Sequence, residues 1–253
     1  MKLISKKLHY TVRSNEVVGM WSEKIICDIV NIKFNTKRDY ININEYPYKL
    51  RKDLYCTLNT FLGSLQIKQH IGNKNENCDF VCKSGSNLSL KTNINSFKVC
   101  PAKIGQTTLQ KLNKHFRSNF TNQEFKAFVM SNTNTILTEY LKYSFTCEHL
   151  ISIKFDTGKV YYFQAQLENL QWLIDDYQFT CTLESWNESN TVKIKIGETF
   201  VSLAEFQIHQ KRNCIKCRFN FDTIILLIKL GFIKGIHLQE FDLKYKYIIK
   251  VVK

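Results

Sequence analysis

Residues 78–93, Cys-Asp-Phe-Val-Cys-Lys-Ser-Gly-Ser-Asn-Leu-Ser-Leu-Lys-Thr-Asn, constrain the fold more tightly than any other stretch. Asp79 to Lys83 reads as a strand, Ser84-Gly85-Ser86-Asn87 carries turn chemistry, and Leu88 to Lys91 reads as a second strand. Strand side chains alternate between faces, so Leu88 and Leu90 point into a core while Ser89 and Lys91 share the opposite face. In the usual hairpin register Asp79 then comes close to Lys91. An acid and an amine converge on one spot.

The chain has 253 residues, 44% of them hydrophobic and 13% aromatic, which is a globular composition with room for a sizeable core. Only two prolines and nine glycines argue against a loop-rich chain, and there is no internal repeat. The formal net charge is +14, from 36 Lys and Arg against 22 Asp and Glu, which favours a polyanionic partner, nucleic acid before membrane. The plainer reading is a Lys-rich surface. Met1 to Lys7 has no apolar run behind it, so no secretory leader is expected. Thr223 to Ile228 is too short to span a bilayer and ends at Lys229. Nine cysteines without framework spacing suit a reducing cytoplasm. Cys214-Ile215-Lys216-Cys217 stands alone as a C-x-x-C pair and reads as two strand cysteines rather than zinc ligands.

Taken in order, near-alternation over Cys27 to Phe34 predicts a strand. Asn44-Glu45-Tyr46-Pro47 predicts a helix start, with Leu50, Leu54, Leu58 and Leu62 on one face and a stop at Gly63. Ser64 to Gly72 alternates as the first core strand, so the core reads as a helix followed by a three-stranded antiparallel meander. Helices are expected at 107–116, 122–130 and 135–143, the first with Lys111, Lys114, His115 and Arg117 outward. Beyond 146 the chain is mostly β, with a hairpin turn at Asp156-Thr157-Gly158, a strand at 191–196, a buried helix at 221–230 closed by Gly231, and a terminal strand at 245–252. The class is α+β, with an N-terminal part at 1–145 and a β-rich part at 146–253 within one continuous domain.

On a strand, Glu205, Gln207 and His209 share one face. Gln, Arg and Asn read base edges through paired hydrogen bonds. Target recognition is therefore placed at Gln207, His209, Arg212 and Asn213, with Arg218 and Lys103 as further DNA contacts. Two alternatives stay open: Glu205 and Gln207 as a catalytic acid–amide pair, or a plain polar sheet face.

An Asp at the start of one strand, a turn, and then x-x-Lys on the antiparallel neighbour resembles the PD-(D/E)xK core of type II restriction endonucleases. The likeness covers about residues 45–120, including Lys98 to Gln106, which resembles the segment after the catalytic strand. It implies an α/β/α restriction-endonuclease-like fold, a central mixed sheet whose antiparallel catalytic meander is flanked by helices. It also implies Mg²⁺-dependent hydrolysis of double-stranded DNA at a short sequence, a homodimer, no membrane, and a cognate DNA methyltransferase. Asp79 matches the metal-binding Asp and Lys91 the Lys that orients the water. Ser89 stands where the family has its second acid and Cys78 where it has Pro. Members with Ser-x-Lys draw the missing acid from a neighbouring helix, which makes Asp53, Glu45 and the amide Gln106 candidate metal ligands beside Asp79. The rival is a non-catalytic basic DNA-binding protein in which Asp79 and Lys91 form an ordinary cross-strand ion pair.

Overall fold

The computed structural model describes residues 6–35, 46–71, 78–209 and 213–252. The first elements are β1 (Lys7–Val12), α1 (Asn15–Val30), α2 (Tyr48–Leu65), β2 (Ile67–His70), β3 (Phe80–Cys82) and β4 (Asn87–Asn93). The two-residue strands β5 (Lys98–Val99) and β6 (Gln106–Thr107) follow, then helices α3 (Leu109–Phe116), α4 (Asn122–Ser131) and α5 (Thr133–Ser144). Strands dominate after that: β7 (His149–Lys154), β8 (Lys159–Ala165), β9 (Gln171–Trp172), β10 (Tyr177–Phe179), β11 (Ser189–Ile196), β12 (Thr199–His209) and β13 (Cys214–Asn220). Helix α6 (Phe221–Lys229) and strands β14 (Ile233–Lys234), β15 (Ile236–Asp242) and β16 (Lys246–Val251) come last. Helices and mixed sheets together make this an α+β chain. Among the described residues no helix is long and apolar enough to cross a membrane.

Two compact units interleave along the sequence. One comprises Met1–Ser96, Cys147–Ala165 and His237–Lys253, and the other Phe97–Thr146 and Gln166–Ile236. The division expected at 145/146 falls beside one crossing between them, while each expected part contributes to both units.

In the first unit the sheet order is β15-β8-β7-β4-β3-β2. Strands β2, β3 and β4 form the antiparallel meander, β4 runs parallel to β7, and β7 and β8 are antiparallel. Leu88 and Leu90 of β4, Ile151 and Ile153 of β7, and Val160 and Tyr162 of β8 join a core with helices α1 and α2. The four-residue spacing of Leu50, Leu54, Leu58 and Leu62 puts all four on one buried stripe of α2.

Two local expectations are corrected. Cys27 to Val30 is the last turn of α1, not a strand, and the helix ends where Asn31 adopts the left-handed conformation. Val18, Trp21 and Ile25 recur at helical spacing and are buried, and this longer period outweighs the brief alternation that follows it. Helix α2 runs through Gly63 and ends at Leu65, with left-handed Gln66 as its cap. One interior Gly costs a helix about 1 kcal/mol, too little to end one whose leucine stripe is buried.

Asp53 is buried on α2 and accepts three hydrogen bonds, from the backbone N–H of Lys244 at 2.7 Å, that of Tyr245 at 3.0 Å, and the Tyr247 hydroxyl at 2.8 Å. The carboxylate thereby ties α2 to the turn between β15 and β16. At the other end of the sheet, His149 lies between the Ser86 hydroxyl, 3.0 Å from Nε2, and the Tyr162 phenol, 2.8 Å from Nδ1. Burial holds the His149 pKa below its usual 6.5, against a smaller opposing pull from Glu148.

Removing the Asp53 carboxylate leaves three donors without an acceptor. Asp53→Ala is therefore expected to lower the unfolding free energy by about 3 kcal/mol in urea denaturation, with the denaturant slope unchanged. A loss below about 1 kcal/mol would contradict this role. His149 gives a pH signature. Its folded pKa is depressed, so on acidification the unfolded chain takes up the proton first. The stability it contributes is complete above 6.5 and is lost as pH falls through the folded pKa. The urea midpoint should drop as pH falls below the usual imidazole pKa of 6.5, and His149→Gln should flatten that drop.

Candidate active site

Strand alternation puts Ser89 and Lys91 on the β4 face away from Leu88 and Leu90. The register of β3 and β4 pairs Phe80 with Leu88 and Val81 with Asn87, so Asp79 falls opposite Ser89. The Asp79 backbone N–H donates to the Leu88 carbonyl at 3.0 Å. One carboxylate oxygen, Oδ2, accepts from the Leu90 backbone N–H at 2.6 Å and from the Ser89 hydroxyl at 3.1 Å. This corrects the expected register. Cys82 N–H bonds to the Ser86 carbonyl across a short turn in which Gly85 has φ 88°, which brings Ser89 opposite Asp79 and leaves Lys91 two residues further along the same face.

Lys91 is exposed, and among the described residues it has no carboxylate partner. The parallel pairing of β4 and β7 sets Lys91 beside Ser152, whose hydroxyl lies 3.4 Å from the Asn93 side-chain amide. The face therefore presents a carboxylate, a hydroxyl and a free ammonium, bordered by a buried serine. Asn93 and Ser152 were not singled out from sequence. Their proximity depends on pairing between strands some sixty residues apart, which no local pattern encodes.

The other candidate acids are distributed differently. Asp53 is committed to the β15–β16 turn, and Glu45 lies outside the described residues. Gln106 does not start a helix: it is in β6, paired with Lys216, and α3 begins at Leu109 behind a Thr108 cap that accepts from the Lys111 N–H. It belongs to the second unit, whereas Asp79 belongs to the first. The Pro101–Gly105 turn leads into β6. A Cβ on Gly105 would meet the Pro101 carbonyl oxygen at 2.2 Å, so only glycine fits there. Among the described residues no group of three or more His, Cys, Asp or Glu is arranged to hold a metal ion. Cys214 and Cys217, three apart on β13, point to opposite faces, the first half-buried and the second buried.

The second unit contains the face expected to read DNA. Phe206 and Ile208 of β12 and Ile215, Cys217 and Phe219 of β13 are buried, which turns the alternate residues outward. One row across the sheet runs Ser189, Gln207, Lys216, Gln106, and the next runs Thr191, Glu205, Arg218. Glu205 organises the second row. Its Oε2 accepts from Arg218 at 2.8 Å and from the Lys98 ammonium at 2.9 Å, and its Oε1 accepts from the Gln207 amide at 2.7 Å. Burial pushes the Glu205 pKa up, but Lys98, Gln207 and Arg218 outweigh it and hold the carboxyl below its usual range. His209 Nδ1 lies 3.6 Å from Glu188, Asn213 is exposed with φ 41°, and Arg212 lies outside the described residues. Lys103 is exposed in a left-handed turn, φ 58°. Lys98 and Lys216 were missed as part of this face because only the strand register brings them to it.

No family model matches the chain, and no solved structure matches it. The chain is similar to the type II restriction enzyme CviAII of Paramecium bursaria Chlorella virus 1, with 30% identity over 232 residues. That alignment takes in 90% of this chain and 64% of the relative, so the chain spans a little under two thirds of the curated protein it matches.

Proposed function

We propose that this protein is a Mg²⁺-dependent type II restriction endonuclease that hydrolyses double-stranded DNA at a short specific sequence, with a PD-(D/E)xK-like site in which Ser89 replaces the second acid. The observation that carries this reading is the shared face of Asp79, Ser89 and Lys91 on adjacent antiparallel strands, in a chain similar over 90% of its length to CviAII. The net charge of +14 supports a polyanionic substrate. By the same resemblance the enzyme acts as a homodimer in the cytoplasm, beside a cognate methyltransferase. Among the described residues no disulfide joins the cysteines, which is compatible with a reducing compartment.

The donor set suits Mg²⁺. The second carboxylate oxygen of Asp79, Oδ1, accepts no hydrogen bond among the described residues, and the Ser89 hydroxyl lies beside it. Both are hard oxygen donors, and Mg²⁺ is commonly held by one or two carboxylates together with water and substrate phosphate rather than by a full protein cage. When bound, the ion polarises a phosphoryl oxygen and lowers the pKa of an attacking water. The chain's own contributions are separate. The Leu90 N–H and Ser89 O–H fix the rotamer of Asp79, and the Lys91 ammonium orients water and offsets the charge that builds on phosphorus. A purely binding protein would use Asp79 and Lys91 as an ion pair. Among the described residues that pair is absent, and Asp79 takes Ser89 and Leu90 instead.

Purified protein incubated with mixed-sequence plasmid DNA should give discrete fragments with Mg²⁺ and none with EDTA. Asp79→Ala and Lys91→Ala should each lower cleavage by about 10²–10³-fold or more while duplex binding stays within about threefold. Ser89→Ala should cost less, because the Leu90 N–H still holds the carboxylate. Cleavage by both the Asp79 and Lys91 variants at wild-type rates would remove this site from the reaction.

A further inference from the structure

We infer that Glu205 is the positioning residue of a base-reading patch spanning two adjacent rows on the solvent face of the second unit's sheet: its carboxylate sets the donor and acceptor pattern that Gln207 and Arg218 present to base edges of duplex DNA. This inference rests on the reading of the chain as a DNA-binding protein and adds to it a surface, its organiser and the kind of contact made.

Long polar side chains on a solvated sheet face ordinarily sample many rotamers. Here three of them, from three strands, converge on one carboxylate that is itself only 15% exposed. A carboxylate only accepts hydrogen bonds, so the Gln207 amide must turn its NH₂ toward Glu205. Its carbonyl oxygen is thereby directed away, as an acceptor. Arg218 commits Nη2 to Glu205 and its Nε is buried, which leaves the donors of Nη1 uncommitted among the described residues. Directly across the next row, Lys216 stands between Gln207 and Gln106.

This mixture distinguishes base reading from phosphate binding. Phosphate oxygens only accept, so a fixed outward acceptor has no use against them and Glu205 would repel them. Base edges offer both kinds of group: the amino groups of adenine and cytosine meet an acceptor, and guanine O6 and N7 meet an arginine. A patch that fixes an amide carbonyl in one row beside a guanidinium in the next is suited to an edge carrying both. Nothing aromatic lies in these two rows to stack on an unpaired base, which favours an intact duplex over a single strand.

The test is selection from a random duplex library in Mg²⁺-free buffer, with wild type, Glu205→Gln and Arg218→Lys. The Gln variant keeps the size of the side chain but supplies a donor as well as an acceptor, so Gln207 loses its enforced orientation and Arg218 its ion pair. Wild type should return a consensus. Glu205→Gln should return one degenerate at one or more positions, with discrimination against single-base changes reduced by at least about tenfold. Its affinity for unrelated duplex should stay the same or rise, because a negative charge has left the surface. Arg218→Lys keeps the charge, loses the fork, and should show the same loss if the Glu variant does not fold. An unchanged consensus in a Glu205→Gln protein of lower melting temperature would reduce Glu205 to a structural ion pair, and absence of a wild-type consensus would also overturn the inference. The nuclease reading fails on a different result, a lack of Mg²⁺-dependent cleavage by wild type, which leaves the library experiment interpretable.

Discussion

Strand β4 has to bury Leu88 and Leu90, and the rest of the first unit is arranged to let it do so. Both leucines sit in the core with helices α1 and α2, at 0% and 7% exposure. Because strand side chains alternate, that burial leaves Ser89, Lys91 and Asn93 no choice of face. A slip of one residue would bury the ammonium of Lys91 and expose two leucines, at a cost of several kcal/mol, so the chemistry is held in register by the core. The antiparallel neighbour β3 then supplies Asp79 and the parallel neighbour β7 supplies Ser152.

Asp79 serves the fold and the proposed site at once. Its main chain carries the ladder on both sides, donating to Leu88 and accepting from Ile71, while one carboxylate oxygen caps the Leu90 N–H. Preorganisation of this kind lowers the entropy lost when a ligand binds to the free oxygen, since the rotamer is already chosen. Asp53 accepts from three donors rather than two and serves a different end, with both oxygens engaged by Lys244, Tyr245 and Tyr247. The half-buried Asp79 thus keeps one oxygen available while the buried Asp53 has both engaged, a difference set by the number of donors aimed at each.

Legibility in the sequence followed the range of the interaction. The β3–β4 hairpin was readable because alternation and a glycine turn are local, and the leucine stripe of α2 was readable because its period is uninterrupted over four turns. Near Cys27 a short alternating run competed with a longer helical one, and burial decided in favour of the helix. Interleaving of the units, the parallel pairing of β4 with β7, and the convergence of Lys98, Gln207 and Arg218 on Glu205 depend on register between distant strands. A single sequence carries no local trace of them. Gln207 and Arg218 were singled out by residue type, while their bonds to Glu205 became visible only with the strand register.

The serine at position 89 has a physical rationale of its own. An acid there would lie directly opposite Asp79 on the neighbouring strand, and like charges so placed destabilise a sheet unless a cation is always between them. One of the two would also be pushed toward protonation. A hydroxyl avoids both costs: it donates to Asp79 at 3.1 Å and orients that carboxylate. The β3–β4 ladder then forms without a like-charge pair across it.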